Sequence, residues 1–175
     1  MIDYAAAREA MVDRQVRTAD VTRYPIIAAM LAVPREAFLP AELQPVAYLG
    51  EHVPLAPGRV LLDPRVFAKL LDALAVGPAD LVLDVGSGYG YSTAVLARMA
   101  EAVVALESDP AMAAEAEALL AAHGADNAVA HAVAEGAGGQ ARLGLRTPDG
   151  ITWRRIFDAT APVIPGFAAT KAFEF

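Results

Sequence analysis

The sequence predicts an α/β fold built on a parallel sheet, and three observations carry that prediction. Leu81-Val82-Leu83-Asp84-Val85 is a short apolar run with no polar face until its last residues, which is the pattern of a buried, central parallel strand. Strand and helix signals then alternate over residues 81–133 as βαβαβ, which implies a parallel sheet with right-handed crossovers. Gly86-Ser87-Gly88-Tyr89-Gly90 falls at the first strand-to-helix junction, where glycines permit positive φ and let the backbone approach a ligand.

Each element follows from local signals. Residues 3–17 read as an amphipathic helix with Tyr4, Ala7 and Met11 on one face. Asp20 is a candidate cap for a second helix, whose body is Ile26 to Val33 and which Pro34 stops. Pro34, Pro40, Pro45, Pro54, Pro57 and Pro64 punctuate a loop-rich stretch with apolar anchors at Phe38, Leu39, Tyr48, Leu49 and Leu55. Val66, Phe67, Leu70, Leu71 and Leu74 then recur at helical spacing until Gly77-Pro78. Beyond the glycine loop come a helix from Ser92 to Ala100 and a strand from Ala102 to Leu106. Asp109-Pro110 starts a further helix that Gly124 ends, and a weaker strand runs from Asn127 to Val133. Glu135 to Gln140 is rich in Gly and Ala. Arg142–Arg146 and Ile151–Phe157 flank Thr147-Pro148-Asp149-Gly150 as an antiparallel hairpin, and Lys171–Phe175 alternates like one more strand. The reading is one domain: a helical and loop-rich region over 1–64, a βαβαβ half over 65–133, and a linker with hairpin over 134–175.

Composition narrows the function classes. The chain has 175 residues, 56% of them hydrophobic and 20% charged, which excludes an intrinsically disordered chain. The net charge of −7 disfavours nucleic acid as a partner. The absence of cysteine excludes disulfides, thiolate metal sites and a Cys nucleophile, and suits a reducing cytoplasm. No window approaches the ~20 apolar residues of a spanning helix, and no signal peptide is visible, so the expectation is a cytoplasmic protein without membrane partners.

The chemistry concentrates at the glycine loop. An acidic residue, Glu107, ends the second strand 17 positions after Gly90, where a carboxylate can accept both hydroxyls of an adenosine ribose. The spacing is GxGxG rather than the GxGxxG preferred by NAD-type sites. Asp84, two residues before the first glycine, would repel a pyrophosphate but suits a ligand with an ammonium and a sulfonium. These features point to S-adenosylmethionine, with Asp84, Gly86, Ser87, Gly88, Gly90, Tyr91 and Glu107 as the candidate cofactor residues. The competing reading is that the glycines only make a tight turn; strand, helix and distal acid together outweigh it.

Further segments resemble the protein-L-isoaspartate O-methyltransferase family over residues about 8 to 135 and again near the C-terminus. They are Met11-Val12, Ile27-Ala28-Ala29-Met30, Val33-Pro34-Arg35-Glu36-Ala37-Phe38-Leu39-Pro40, Ala47-Tyr48, and the loop with Tyr91. The Pro-Arg-Glu-x-Phe segment has no general methyltransferase role, so it marks the family. The resemblance implies a Rossmann-like S-adenosylmethionine-dependent fold. It also implies methyl transfer to the carboxylate of isoaspartyl residues, a repair reaction on protein or peptide substrates.

Two departures from the family pattern stand out. Where the family has a Thr-Ile-Ser-Gln-Pro type segment beside the substrate, this chain has Val60-Leu61-Leu62-Asp63-Pro64, with Leu62 in place of a hydroxyl. Leucine neither donates nor accepts a hydrogen bond, which weighs against isoaspartyl repair, and plain core packing is the simpler expectation for Val60–Leu62. Only eight residues separate Val133 from Arg142, too few for a strand–helix–strand unit of about 30. The expected sheet therefore lacks its fourth- and fifth-strand region and exposes one side of its first strand, unless the hairpin docks there. An alternative to enzyme function is a protein that binds the cofactor without transferring its methyl group, or a methyltransferase for another substrate.

Remaining candidates are weaker. His52, His123 and His131 are too scattered for a metal site, and His123 suits a helix C-terminus. Arg59 and Arg65 are placed to meet a substrate carboxylate, although ion pairs or surface positions are the simpler reading. Trp153 with Arg154-Arg155 is a weak nucleic-acid signal. Glu135 or, in another register, Ala132 stands at the acidic turn that the family places after its third strand. No catalytic residue is assigned.

Overall fold

The computed structural model of the protein describes residues 2–132, 141–147 and 150–157. Helix α1, Tyr4–Met11, is capped by the Asp3 carboxylate, which accepts from the Ala6 N–H at 3.0 Å. The helix does not run unbroken to residue 17. It widens into a π-turn at Val12–Val16 and tightens into a 3₁₀ turn at Arg17–Ala19, which lets Val12 and Val16 join Met11 in the core.

Helix α2, Tyr24–Ala32, begins at Arg23 and not at Asp20. Asp20 instead adopts a left-handed φ of 64° and closes the 3₁₀ turn through its N–H to Arg17 O at 3.1 Å. Pro25 takes over the start of the helix, because its missing N–H is not needed there.

The proline-rich stretch holds two 3₁₀ turns, Arg35–Phe38 and Gln44–Val46, and an antiparallel ribbon that sequence periodicity did not signal. Its strands are β1, Val53–Ala56, and β2, Arg59–Leu61, joined through Gly58 at φ +72°. Helix α3, Pro64–Leu74, follows with the Asp63 side chain as its cap and ends at Ala75 in a left-handed conformation, before Gly77-Pro78.

The sheet has order β3-β4-β5 and is parallel throughout, with β3 at Leu81–Val85, β4 at Ala102–Glu107 and β5 at Ala128–Ala132. Helix α4 spans Tyr91–Ala97, shorter than the expected Ser92–Ala100, and α5 spans Pro110–Ala122 with Asp109 as its cap. Both pack on one sheet face. That face carries Val82 and Asp84 of β3, Val103, Ala105 and Glu107 of β4, and Ala128 and Ala130 of β5. Helix α2 packs against α4, and on the same side of the sheet the N-terminal helices close a core that includes Met11, Ile26, Met30, Phe38, Leu71, Val95 and Leu120.

Among the described residues, no element packs on the opposite face. Leu81 is 78% and Leu83 60% exposed, and Val85, Val104 and Val129 also meet solvent. The expectation of a buried, central first strand is thus corrected, and that of a first strand open on one side is met: among the described residues β3 is an edge strand paired with β4 alone. The cause is the short connection. Residues 133–140 are fewer than the dozen or more that a crossover to a further parallel strand requires. The hairpin exists as β6, Ala141–Thr147, and β7, Gly150–Phe157, but forms a separate two-stranded sheet. The alternating Lys171–Phe175 segment and Glu135 lie outside the described residues. Among the described residues, no helix is long and apolar enough to cross a membrane.

Parallel sheets are normally covered on both faces, so this open face should make the protein self-adhesive. Leu81→Lys places a charge on its most exposed position. Light scattering should show less association, while the melting midpoint corresponds to a change within about 0.5 kcal/mol. A large loss of stability would mean that Leu81 is covered in solution.

Candidate cofactor site

The site forms where β3 and β4 end. Gly86 and Ser87 leave β3 with their N–H groups directed at the Leu106 carbonyl, at 2.7 and 3.3 Å, which fastens the glycine loop to β4. Gly88 and Gly90 both have positive φ, +56° and +91°. A Cβ on Gly90 would lie 3.3 Å from Ala116 Cβ of α5, so only glycine lets the loop turn this close to the helix.

Glu107 is the hub. Its side chain is wholly buried and accepts from Gly88 N–H at 2.8 Å on Oε2. On Oε1 it accepts from Ser108 N–H at 2.7 Å, Asp109 N–H at 3.0 Å and Arg59 Nε at 3.1 Å. A second guanidinium nitrogen of Arg59 donates to Ser108 Oγ. Burial alone would push the Glu107 carboxyl up, but the Asp109 and Gly88 N–H groups and the Arg59 guanidinium outweigh it and hold the pKa below the usual range.

Asp84 has partners within the protein. Its Oδ2 accepts from the hydroxyls of Ser92 and Thr93, each at 2.7 Å, and so ties β3 to the first turn of α4. Burial pushes its carboxyl up against the pull of the Thr93 and Ser92 hydroxyls, and the Glu107 charge adds to the rise.

Tyr91 is a core residue as well as a loop residue. Its ring lies 6.0 Å from Phe38 and 5.7 Å from Phe67, with the Arg35 guanidinium 5.1 Å from its centre. Arg35 itself is wholly buried. It donates from Nε to Ala47 O at 2.6 Å and from a terminal nitrogen to Leu62 O at 2.8 Å. The Pro-Arg-Glu-x-Phe segment thus acquires a physical role that its sequence alone did not disclose. Arg35 fixes the segment ending in Leu62, while Glu36 pairs with Arg8 at 3.1 Å and accepts from the Tyr48 hydroxyl.

A cavity of about 370 Å³ opens beside the loop, within the range of small-molecule sites. Arg59, Leu62, Asp84, Gly86, Ser87 and Tyr91 are among its lining residues. Val60, Leu61 and Leu62 all line the cavity, and the expected core packing holds for Leu61, which is in the core, and for Leu62, which is partly buried against it. The Ser87 hydroxyl is buried without a hydrogen-bond partner in the protein, so a polar group inside the cavity would satisfy it.

Arg65 pairs with Asp63 at 3.0 Å. His123 ends α5, its ring 5.3 Å from Phe38. Among the described residues no three His, Asp or Glu side chains converge as a metal site. The side chains of His131, Ala132, Trp153, Arg154 and Arg155 lie outside the described part.

A parallel sheet, a glycine loop leaving its first strand and a buried acid at the tip of the second together define an α/β domain of the nucleoside-cofactor-binding class. Within that class the chain belongs to the protein-L-isoaspartate(D-aspartate) O-methyltransferase family, whose profile matches residues 6–165. It is 41% identical over 122 residues to the protein-L-isoaspartate O-methyltransferase of Methylorubrum extorquens, covering 70% of this chain and 54% of that one. Identity to protein-L-isoaspartate O-methyltransferase 1 of Rhodopseudomonas palustris is 38% over 124 residues, covering 71% and 51%. The chain thus spans about half the length of the curated relatives it matches.

Solved structures agree on the fold. One protein-L-isoaspartate O-methyltransferase superposes with a TM-score of 0.64 at 22% identity, over 71% of this chain and 41% of the other. A Plasmodium falciparum protein described as a putative member, solved with S-adenosyl-L-homocysteine, superposes with a TM-score of 0.67 at 17% identity, over 92% and 97%.

The two carboxylates should respond to pH with opposite signs. A carboxyl with a depressed folded pKa stabilises above its unfolded value, about 4.3 for Glu, and that stability fades as pH falls through the folded value. Glu107→Gln should therefore cost about 3–5 kcal/mol at pH 7, since it leaves Arg59 buried without its charge partner. In a pH series of denaturant melts, the difference from wild type should shrink in acid.

An acid with a raised folded pKa contributes stability below its unfolded value, about 3.9 for Asp, and loses it as pH rises through the folded value. Asp84→Asn keeps an oxygen for the Ser92 and Thr93 hydroxyls and removes the buried charge. It should melt higher than wild type at pH 7, with the advantage disappearing near pH 4.

Proposed function

We infer that this chain binds S-adenosylmethionine in the cavity beside the glycine loop, and that its reaction is methyl transfer to the carboxylate of isoaspartyl residues in proteins. The observation that carries the reading is the junction of Gly88 with Glu107. A buried carboxylate at the tip of the second strand grips the loop at 2.8 Å, beside a cavity holding the partnerless Ser87 hydroxyl. Family membership supports the reaction, and the S-adenosyl-L-homocysteine complex of the Plasmodium protein supports the cofactor.

The residues fit that cofactor by chemistry. The main chain of Gly86 to Gly90 offers an approach free of side chains. Glu107 supplies an acceptor for ribose hydroxyls, Asp84 supplies negative charge toward an ammonium, and Ser87 supplies a hydroxyl. Tyr91, packed under Arg35, stiffens the loop from below. When bound, the cofactor supplies a methyl group already activated on a sulfonium. The acceptor carboxylate is its own nucleophile, so no general base is needed, and the task left to this chain is orientation.

Leu62 favours a second reading, a cofactor-binding protein without isoaspartyl transfer. It lines the cavity and offers the acceptor no hydrogen bond.

Calorimetry with S-adenosyl-L-homocysteine tests the binding, and transfer of radiolabelled methyl to an isoaspartyl peptide tests the reaction. Binding with transfer is the expected result. Leu62→Ser should raise the transfer rate by about tenfold or more while leaving cofactor affinity within about twofold, because a positioned hydroxyl acts on the acceptor. Binding without transfer in both forms would establish the second reading, and absence of binding would remove both.

A further inference from the structure

Glu107 is required by the proposed cofactor and is already engaged. A carboxylate has about four lone-pair positions. Here Oε1 receives Ser108 N–H, Asp109 N–H, Arg59 Nε and, at 3.3 Å, the Ser108 hydroxyl, while Oε2 receives Gly88 N–H, so donors already fill those positions and the side chain has no exposed surface. A ribose diol reaches this carboxylate only if a donor gives way. The three main-chain donors belong to the loop and to the start of α5 and cannot leave without unfolding them. Arg59 can leave. It begins β2 immediately after the Gly58 turn, lines the cavity, and is the one side-chain cation paired with Glu107 among the described residues.

We propose that Arg59 sets the affinity of this site. Its guanidinium is the movable part of the cover that leaves Glu107 without exposed surface, so a nucleoside ligand reaches the carboxylate only when Arg59 swings away. The proposal deepens the cofactor reading and rests on it. Apparent affinity is reduced by the fraction of molecules in which the site is free. If Arg59 covers Glu107 about nine-tenths of the time, removing it tightens diol ligands about tenfold.

A merely structural role for the Arg59–Glu107 pair makes the opposite prediction: loosening the loop weakens every ligand. The diol separates the two. Calorimetric titrations would compare wild type, Arg59→Gln and Arg59→Lys. The ligands are S-adenosyl-L-homocysteine and 5′-methylthioadenosine, which carry the 2′,3′-diol, and 2′,3′-dideoxyadenosine, which lacks it. Circular dichroism and melting confirm that each variant is folded.

The expected result is tighter binding of the two diol ligands by Arg59→Gln, an intermediate gain for Arg59→Lys, and unchanged binding of dideoxyadenosine. Should Arg59→Gln not fold, the Arg59→Lys comparison decides. Unchanged or weaker diol binding by a folded variant overturns the proposal, and so does an equal gain for dideoxyadenosine. If no form binds S-adenosyl-L-homocysteine, the cofactor reading itself falls, and this proposal with it.

Discussion

The buried carboxylate of Glu107 is the constraint on which the rest of the site depends. An ionised side chain shut away from water is tolerated only when charge and hydrogen bonds surround it. Glu107 meets that requirement by collecting donors from three separate parts of the fold. Gly88 brings the loop after β3, Asp109 brings the start of α5, and Arg59 brings the β1–β2 ribbon. The need to satisfy one charge thus sets the loop's height above the sheet and draws the N-terminal ribbon onto the C-terminal end of the strands. The same donors explain why its carboxyl stays ionised despite burial, while Asp84, one strand away and facing only two hydroxyls, is pushed the other way.

A second buried charge works from the opposite side. Arg35 has no carboxylate of its own; carbonyl oxygens of Ala47 and Leu62 and the face of Tyr91 take its place. Its position gives the Pro-Arg-Glu-x-Phe segment a packing role beside the cavity, which Arg35 and Phe38 help to line. Arg59 holds one end of the Arg59–Leu62 segment to β4, and Arg35 holds the other to the core. Arg35 holds the wall through the main-chain oxygen of Leu62, so this anchor does not depend on the side chain at position 62. That is a physical route to a protein keeping its cofactor site while altering what it does to an acceptor.

What the sequence disclosed follows a simple division. Period and punctuation are local, so β3, β4, α5 and the glycine loop were legible from Leu81–Val85, Ala102–Leu106 and Asp109-Pro110. The position of Glu107 at the end of β4 was legible because strand–loop–helix–strand spacing fixes where an acid must stand. The Arg59–Glu107 pair joins residues 48 positions apart, and no periodicity reports such a partner. The β1–β2 ribbon escaped notice because Pro54 and Pro57 read as breakers, although an edge strand accepts proline. Asp20 misled for a related reason: an aspartate before a helix suits a cap and a left-handed turn equally well, and the proline at the helix start decided between them.

Strand β3 has the pattern of a buried strand in an exposed position. A run such as Leu81-Val82-Leu83-Asp84-Val85 carries apolar residues on both faces because strands of its kind are covered on both sides, yet here one face is bare. The pattern therefore records a neighbour that the short connection between β5 and β6 does not provide. The covered face holds Asp84, Glu107 and the floor of the glycine loop, whereas the bare face holds Leu81, Leu83, Val104 and Val129 and no group assigned to the cofactor. The loss thus falls on the side of the sheet that shelters apolar surface, and leaves in place the side that carries the chemistry. A chain that matches about half the length of its relatives can on this ground keep the covered face of the sheet while being left with an adhesive surface.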